Sequence, residues 1–325
     1  MKKLFATLLL FILVAAGGLA YWVSQPLALP NTPFEFSLQS GSSLKSVSRQ
    51  LLQAQLLPQE TVFVWLGRVL GRSAKIKSGS YELEQPVSML GLLDIITKGQ
   101  VNQNQISVIE GWTFKQFRAA VNENPDVKHT TLTLSDAEIL QQIGASETQA
   151  EGLFFPDTYF FAAGSSDVLL FKRAYQTMQQ HLAAAWAERA ANLPLRNPYE
   201  ALTLASIVEK ETGTASDRGM IAGVFVNRLR AGMLLQTDPT VIYGIGEKYD
   251  GNIRKRDLLT DTPYNTYTRA GLTPTPIALP GAASLQAALH PAKTDALYFV
   301  ARGDGSSKFS STLVEHNRAV NQYQK

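Results

Sequence analysis

The residues after Met1-Lys2-Lys3 read LFATLLLFILVAAGGLAYWV, an uncharged run from Leu4 to Val23 interrupted only by Thr7. At ~1.5 Å per residue such a run spans roughly 30 Å as a helix, the hydrocarbon thickness of a bilayer. With Lys2 and Lys3 on its leading flank, the positive-inside rule keeps the start in the cytoplasm and sends the rest outward. Residues 1–24 are therefore expected to form a cytoplasmic tip and a single-pass inner-membrane anchor, with the bulk of the chain on the periplasmic side. A cleaved signal peptide is the competing reading, because Gly18 and Ala20 sit at small-residue cleavage spacing. The length of the run and the interfacial pair Tyr21-Trp22 favour a retained anchor.

Beyond the anchor, 325 residues at 45% hydrophobic and 18% charged suffice for more than one globular unit. The 30 Lys and Arg against 27 Asp and Glu are scattered, so the electrostatic footprint of a nucleic-acid binder is missing and nucleic acid is not an expected partner. The chain has no cysteine, which excludes disulfides, lipoprotein attachment and thiolate metal sites. Its four histidines, His129, His181, His290 and His316, show no HxH or HxxxH spacing. No metal and no cofactor is called for.

The stretch SQPLALPNTP carries three prolines, so residues 25–33 read as an extended stalk. From Phe34 a theme recurs three times, in FEFSLQSGSSLKSVSRQLLQAQLL, KSGSYELEQPVSMLGLLDIITKGQ and NQISVIEGWTFKQFRAAVNEN. Each is a short strand, a turn, a Ser or Thr suited to an N-cap, and one amphipathic helix. A further helix lies in PQETVFVWLGRVLGRS. Strand, helix, helix, strand over this length resembles the LysM sugar-binding module, so residues 34–105 are expected to form a LysM-like α+β region; a small spacer without a ligand would carry the same pattern. Residues 106–325 are expected to form a second, catalytic domain of long helices and a small sheet, giving α+β architecture throughout.

Within that domain, NPYEALTLASIVEKE opens with an Asn N-cap, a Pro at the first helical position and a Glu at the third. Glu209 and Glu211 thus fall in the last turn of a helix. Two positions apart at 100° per residue, they project about 200° from each other and cannot share one pocket. Glu211 stacks over Ile207 and Val208, whereas Glu209 sits over Ala205 and Ser206. A carboxyl against branched apolar side chains is desolvated and held nearer its neutral form, which makes Glu211 the better proton-donor candidate. A carboxylate at a helix C-terminus also opposes the macrodipole, a mild pointer to function. Residue types and spacing alone leave open whether either acid is catalytic.

Downstream, Gln236, Thr237, Asp238 and Thr240 cluster around a proline turn, and DTPYNTYTRAGLTPTPIALPGAASLQAALHP holds five prolines. A loop of this length in a compact domain is usually functional. Its Tyr264, Asn265, Thr266 and Tyr267 offer aromatic faces, amides and hydroxyls suited to a sugar; a proline-stiffened surface loop is the plainer alternative.

The segments EGLFFPDTY, LASIVEKET, VFVNRL, MLLQTDPTVIYGIG, PYNTYTRAGLTPTPIALPG, ALHPAKTDALYFVA and HNRAV occur in this order behind the N-terminal run. In this the chain resembles the YceG-like (MltG) family of membrane-bound endolytic murein transglycosylases, densely from about residue 151 to 320 and weakly over the first hundred residues. The resemblance implies cleavage of the β-1,4 bond between N-acetylmuramic acid and N-acetylglucosamine inside peptidoglycan strands, leaving a 1,6-anhydro end and so ending strand elongation. It also implies LysM-like modules, cell-wall synthases as partners, and a catalytic acid matching Glu211.

A lone acid suffices for that chemistry: it protonates the leaving oxygen and then, as carboxylate, takes the proton of the muramyl 6-hydroxyl. Gln236, Asp238, Tyr243, Asn265 and Tyr267 are the expected substrate-binding residues. Two alternatives stand beside it. One is a non-catalytic, membrane-tethered peptidoglycan adaptor; the other is a hydrolase pairing Glu211 with Asp238 or Asp157 to activate water. A serine hydrolase lacks its nucleophile turn, since no GxSxG occurs.

Overall fold

The computed structural model describes residues 2–32, 34–38, 41–77, 79–98, 104–161, 164–211 and 214–324. It is a mixed α+β chain that divides into two compact units, the first comprising the residues up to Gln105 with Tyr159–Ser165, the second Ile106–Thr158 with Ser166–Lys325. The chain passes between them within β3 (Asn104–Ser107) and again at β4 (Thr158–Phe161).

The first unit begins with helix α1 (Lys2–Val23). Among the described residues no helix is long and apolar enough to cross a membrane; nine of the twenty positions of the expected span, Leu4–Val23, have side chains outside those described. The proline-rich segment that follows is extended, as its prolines require, but it is docked instead of forming a free stalk. Pro26 bridges to Ser88, the Leu27 N–H donates to the Val87 carbonyl at 2.9 Å, and the Leu27 side chain joins the core. A leucine between prolines can still bury its side chain, and burial wins here over solvation of an extended segment.

Strand β1 (Phe34–Leu38) pairs antiparallel with β2 (Gly79–Leu83), and helices α2 (Leu44–Gln53) and α3 (Glu60–Val69) lie between them in sequence, with α4 (Met89–Lys98) after. Alternation along β1 points Phe34, Phe36 and Leu38 into the core, where the Phe36 ring stacks on its cross-strand partner Tyr81. The helices close over them with Val47, Leu51, Phe63, Leu92, Leu93 and Ile96, all fully buried. Where α2 and α3 meet, Gly67 leaves room for the end of the Leu44 side chain, which a Cβ there would displace.

In the second unit, capping boxes at Thr113 and Ser135 start α5 (Phe114–Asn122) and α6 (Asp136–Ile143). Phe114 and Phe117 of α5 meet Phe154 and Phe171 in a cluster of stacked and edge-on rings. Phe171 belongs to the long helix α7 (Asp167–Ala187), whose Leu170, Ala174, Met178 and Leu182 face the same core.

Helix α8 (Pro198–Glu211) is the centre of this unit. Asn197 accepts the Glu200 N–H at 2.9 Å as N-cap, and every residue from Ala201 to Val208 is buried. A helix apolar all round must be packed all round, and α7, α9 (Ala215–Arg230) and α12 (Ala282–Leu289) pack against it. Between α11 (Lys255–Leu259) and α12 the chain has no regular element, yet Asn265, Thr266, Thr273, Thr275, Ile277, Ala278 and Leu279 are all buried. The long proline-rich segment is thus interior packing, held in part by the Ser206 hydroxyl of α8, which accepts the Ile277 N–H at 2.9 Å. A hairpin of β5 (Tyr298–Ala301) and β6 (Ser307–Ser310) and a final helix α13 (Leu313–Tyr323) complete the unit. At Gly223 of α9 a Cβ would lie 2.7 Å from the Ala292 carbonyl, so the missing side chain lets the segment entering β5 run tightly along the helix.

Candidate active site

The end of α8 sends three consecutive side chains to three places. The Glu209 carboxylate accepts the Gly281 N–H at 2.9 Å and so caps the start of α12. Lys210 donates to the Gly111 carbonyl at 3.2 Å. Glu211 borders a cavity of about 560 Å³ shared with Gln236, Asp238 and Tyr267, a volume within the ordinary range for ligand pockets.

Part of the Glu211 side chain still reaches solvent, but its carboxyl is enclosed by protein, and that enclosure governs its titration. Burial pushes it up to about 7, the Thr237 hydroxyl opposes this by donating to Oε1, and the nearby Asp238 charge adds to it. Thr237 is itself locked. Its N–H donates to the Thr266 hydroxyl at 3.1 Å, and its carbonyl accepts the Thr240 hydroxyl at 2.7 Å, which lies 2.9 Å from that of Thr266. Thr237, braced by two further buried threonines, thus holds one oxygen of Glu211, and no described residue bonds the other. If protonated Glu211 is the working form, kcat/KM is flat on the acid side of pH 7 and falls about tenfold per unit above it; a profile measured from pH 5 to 9 checks this. Glu151, buried and pushed up to about 7, titrates in the same range, and a Glu151→Gln control separates the two.

Asp238 starts α10 (Asp238–Ile245) and accepts the Tyr267 hydroxyl at 2.6 Å. Burial raises the Tyr267 phenol, and the Asp238 carboxylate raises it further, so it stays protonated and a donor. Gln236 takes a left-handed backbone, φ +52°, rare for a residue with a side chain and typical of sites where the surroundings over-determine the chain. Its N–H donates to the Thr266 carbonyl at 3.1 Å.

Tyr243 and Asn265 stand apart from the cavity lining. The Tyr243 hydroxyl donates to Glu151 at 3.2 Å, and its ring packs edge-on against Tyr264. The Asn265 amide donates to the Asp257, Leu258 and Thr260 carbonyls while its oxygen accepts the Tyr267 N–H at 2.8 Å. Asn265 thus closes the end of α11 and orients Tyr267. Both were expected to bind substrate; in the structure neither lines the cavity, and the polar groups of both are bonded within the protein. Asp157 is exposed and bonds its own turn, away from the cavity lining.

The far wall of the cavity was not foreseen. It is built from Arg228 of α9, Tyr298 and Val300 of β5, and His316 and Val320 of α13. Arg228 had a readable signal, since it follows Ile221, Val224 and Phe225 at helical spacing and so shares their buried face.

The profile of the YceG-like family matches residues 36–322. A Bacillus subtilis protein named endolytic murein transglycosylase is 33% identical over 310 residues, covering 90% of this chain and 85% of its own. A Streptococcus pneumoniae protein of the same name is 27% identical over 317 residues, of whose length the match spans 57%. The crystal structure of a YceG-like protein from Listeria monocytogenes superposes with a TM-score of 0.54 at 29% identity, covering 88% of this chain and 98% of that one. With a family profile running nearly end to end and a relative matched over most of its length, the chain belongs to the YceG-like family.

Proposed function

We infer that the protein is an endolytic murein transglycosylase, a lyase that cuts the β-1,4 bond between N-acetylmuramic acid and N-acetylglucosamine within peptidoglycan strands and leaves 1,6-anhydromuramyl ends. The observation that carries this reading is the enclosed carboxyl of Glu211 at the cavity edge, raised to about 7 and held by Thr237. It is a proton donor poised at neutral pH. The oxygen not bonded to Thr237 gives its proton to the glycosidic oxygen as the C1–O bond breaks. The resulting carboxylate then takes the proton of the muramyl 6-hydroxyl as O6 bonds C1, returning Glu211 to its starting form. Asp238, fixed by Tyr267, supplies negative charge toward the cationic character that develops at C1. Gln236 and Tyr267 contact the sugar, with Asn265 and Tyr243 supporting them from behind.

Asp238 beside Glu211 in one cavity also supports a second reading, in which the aspartate activates water and the product carries a reducing end. Mass spectrometry of products from stem-free glycan strands separates the two. Anhydro ends at one water less than reducing ends are expected; products carrying the added water would overturn the first reading in favour of the second.

The finer reading is a single-pass anchor with the catalytic unit on the outer side of the inner membrane, working beside cell-wall synthases. It rests on the uncharged run of α1 and on Tyr21 and Trp22 at its end, which are 71% and 40% exposed. Trp65, 61% exposed on α3, borders an apolar groove with Leu19 and Val23 and extends that interfacial surface. The β-α-α-β order of the first unit supports a LysM-like sugar-binding role.

A further inference from the structure

Arg228 is 8% exposed, and no carboxylate among the described residues lies within ion-pair distance of it. Its Nε donates to the Leu297 carbonyl at 2.7 Å. Its Nη1 donates to the Leu234 and Leu235 carbonyls at 3.0 and 2.9 Å and to the Gln236 amide oxygen at 3.3 Å. These bonds fix the guanidinium and spend three of its five N–H groups, so the two on Nη2 have no acceptor among the described residues. The remaining neighbours supply no compensating charge. The Tyr298 ring lies 5.1 Å away, and Tyr267 and His316 are close enough for electrostatic coupling. The His316 ring, stacked on Tyr298, has a buried Nδ1 that also has no partner among the described residues. A buried, immobilised cation with no carboxylate in ion-pair distance is costly, and this one borders the same cavity as Glu211 and the Asp238 carboxylate.

We propose that Arg228 is a carboxylate-binding residue of the cavity, its Nη2 N–H groups donating to a carboxylate of the glycan strand while Glu211 engages the neighbouring glycosidic bond. The inference rests on the transglycosylase reading. The sugar rings of such a strand are neutral; its carboxylates are the lactyl ether of stem-free muramyl residues and the acids of the stem peptides. Either source supplies the chemistry that Arg228 lacks. A strand built only of N-acetylglucosamine supplies neither, so the contact distinguishes muramyl strands from chitin-like ones.

The test measures binding by calorimetry in the uncleaving Glu211→Gln background, using the full chain and three probes of equal length: stem-free strands, stem-bearing strands and chitooligosaccharide. Adding Arg228→Gln is expected to weaken at least one muramyl probe by about tenfold or more, the scale of a charged hydrogen bond, and to leave the chitooligosaccharide within about twofold. Which muramyl probe responds identifies the source, the lactyl carboxylate or the stem. Because Arg228 also braces residues 234–236, the quantity read is the ratio of muramyl to chitooligosaccharide affinity, repeated with Arg228→Lys, which keeps the charge. An equal loss for all probes, or no loss for any, would overturn the proposal. Failure of the underlying reading looks different, since wild-type protein would then release no anhydro-ended products.

Discussion

Glu211→Gln is expected to reduce strand cleavage by roughly three orders of magnitude, in line with removal of a general acid, while leaving glycan affinity nearly unchanged. The amide keeps the shape of the side chain and can still accept the Thr237 hydroxyl, but it holds no transferable proton. Stability provides the control. The folded carboxyl titrates near 7, above its ordinary 4.5, so the folded state binds that proton more tightly than the unfolded chain. For a carboxyl raised in this way, stability is greatest below about pH 4.5, declines as pH rises through 7, and is flat beyond. The Gln variant lacks that decline and should unfold at the same temperature as wild type or higher at pH 8. Product analysis beside thermal unfolding at pH 8 checks both halves; a variant that keeps even a tenth of the wild-type rate would remove Glu211 from its role.

The divergence of Glu209 and Glu211 was legible because it depends only on helix periodicity. The side chains at 209 and 211 diverge, and Glu209 goes to the start of α12 while Glu211 borders the cavity. The start of α8 was legible for the same reason, since Asn, Pro and Glu at fixed offsets satisfy local backbone groups. What was not legible came from contacts distant in sequence. Thr237 reaches Glu211 from 26 residues away, and the brace on Arg228 comes from Leu297, 69 residues away. Residue type alone also cannot tell a sugar-facing amide from a structural one. Asn265 carries the groups a sugar would want, and the end of α11 uses them first. The docked proline segment at 25–29 escaped for a related reason: its composition fixes an extended backbone but says nothing about whether Leu27 finds a core.

Asp167→Ala is expected to cost the second unit about 3 to 5 kcal/mol, the largest stability effect we anticipate from one side chain. Asp167 opens α7 with no solvent exposure and accepts the N–H and hydroxyl of Thr130 at 2.9 and 2.6 Å and those of Thr131, both at 2.8 Å. Thr131 is also fully covered, so water cannot replace the lost acceptor, and each stranded buried donor costs about 1 to 3 kcal/mol. The carboxylate additionally faces the positive end of the α7 dipole. For a unit of this size the loss corresponds to a drop on the order of 10 °C in its unfolding temperature. The pH dependence gives the effect a signature. Burial alone would raise the Asp167 carboxyl, but the four threonine donors outweigh it and hold the group below its ordinary 3.8. A depressed carboxyl contributes stability that is complete above the unfolded value and is lost as pH falls through the folded one. The gap between wild type and Asp167→Ala in calorimetric scans should therefore be widest at neutral pH and narrow as pH falls below 3.8. A gap under 2 °C at pH 7, or one that widens on acidification, would mean that these bonds do not hold the 128–131 segment to α7.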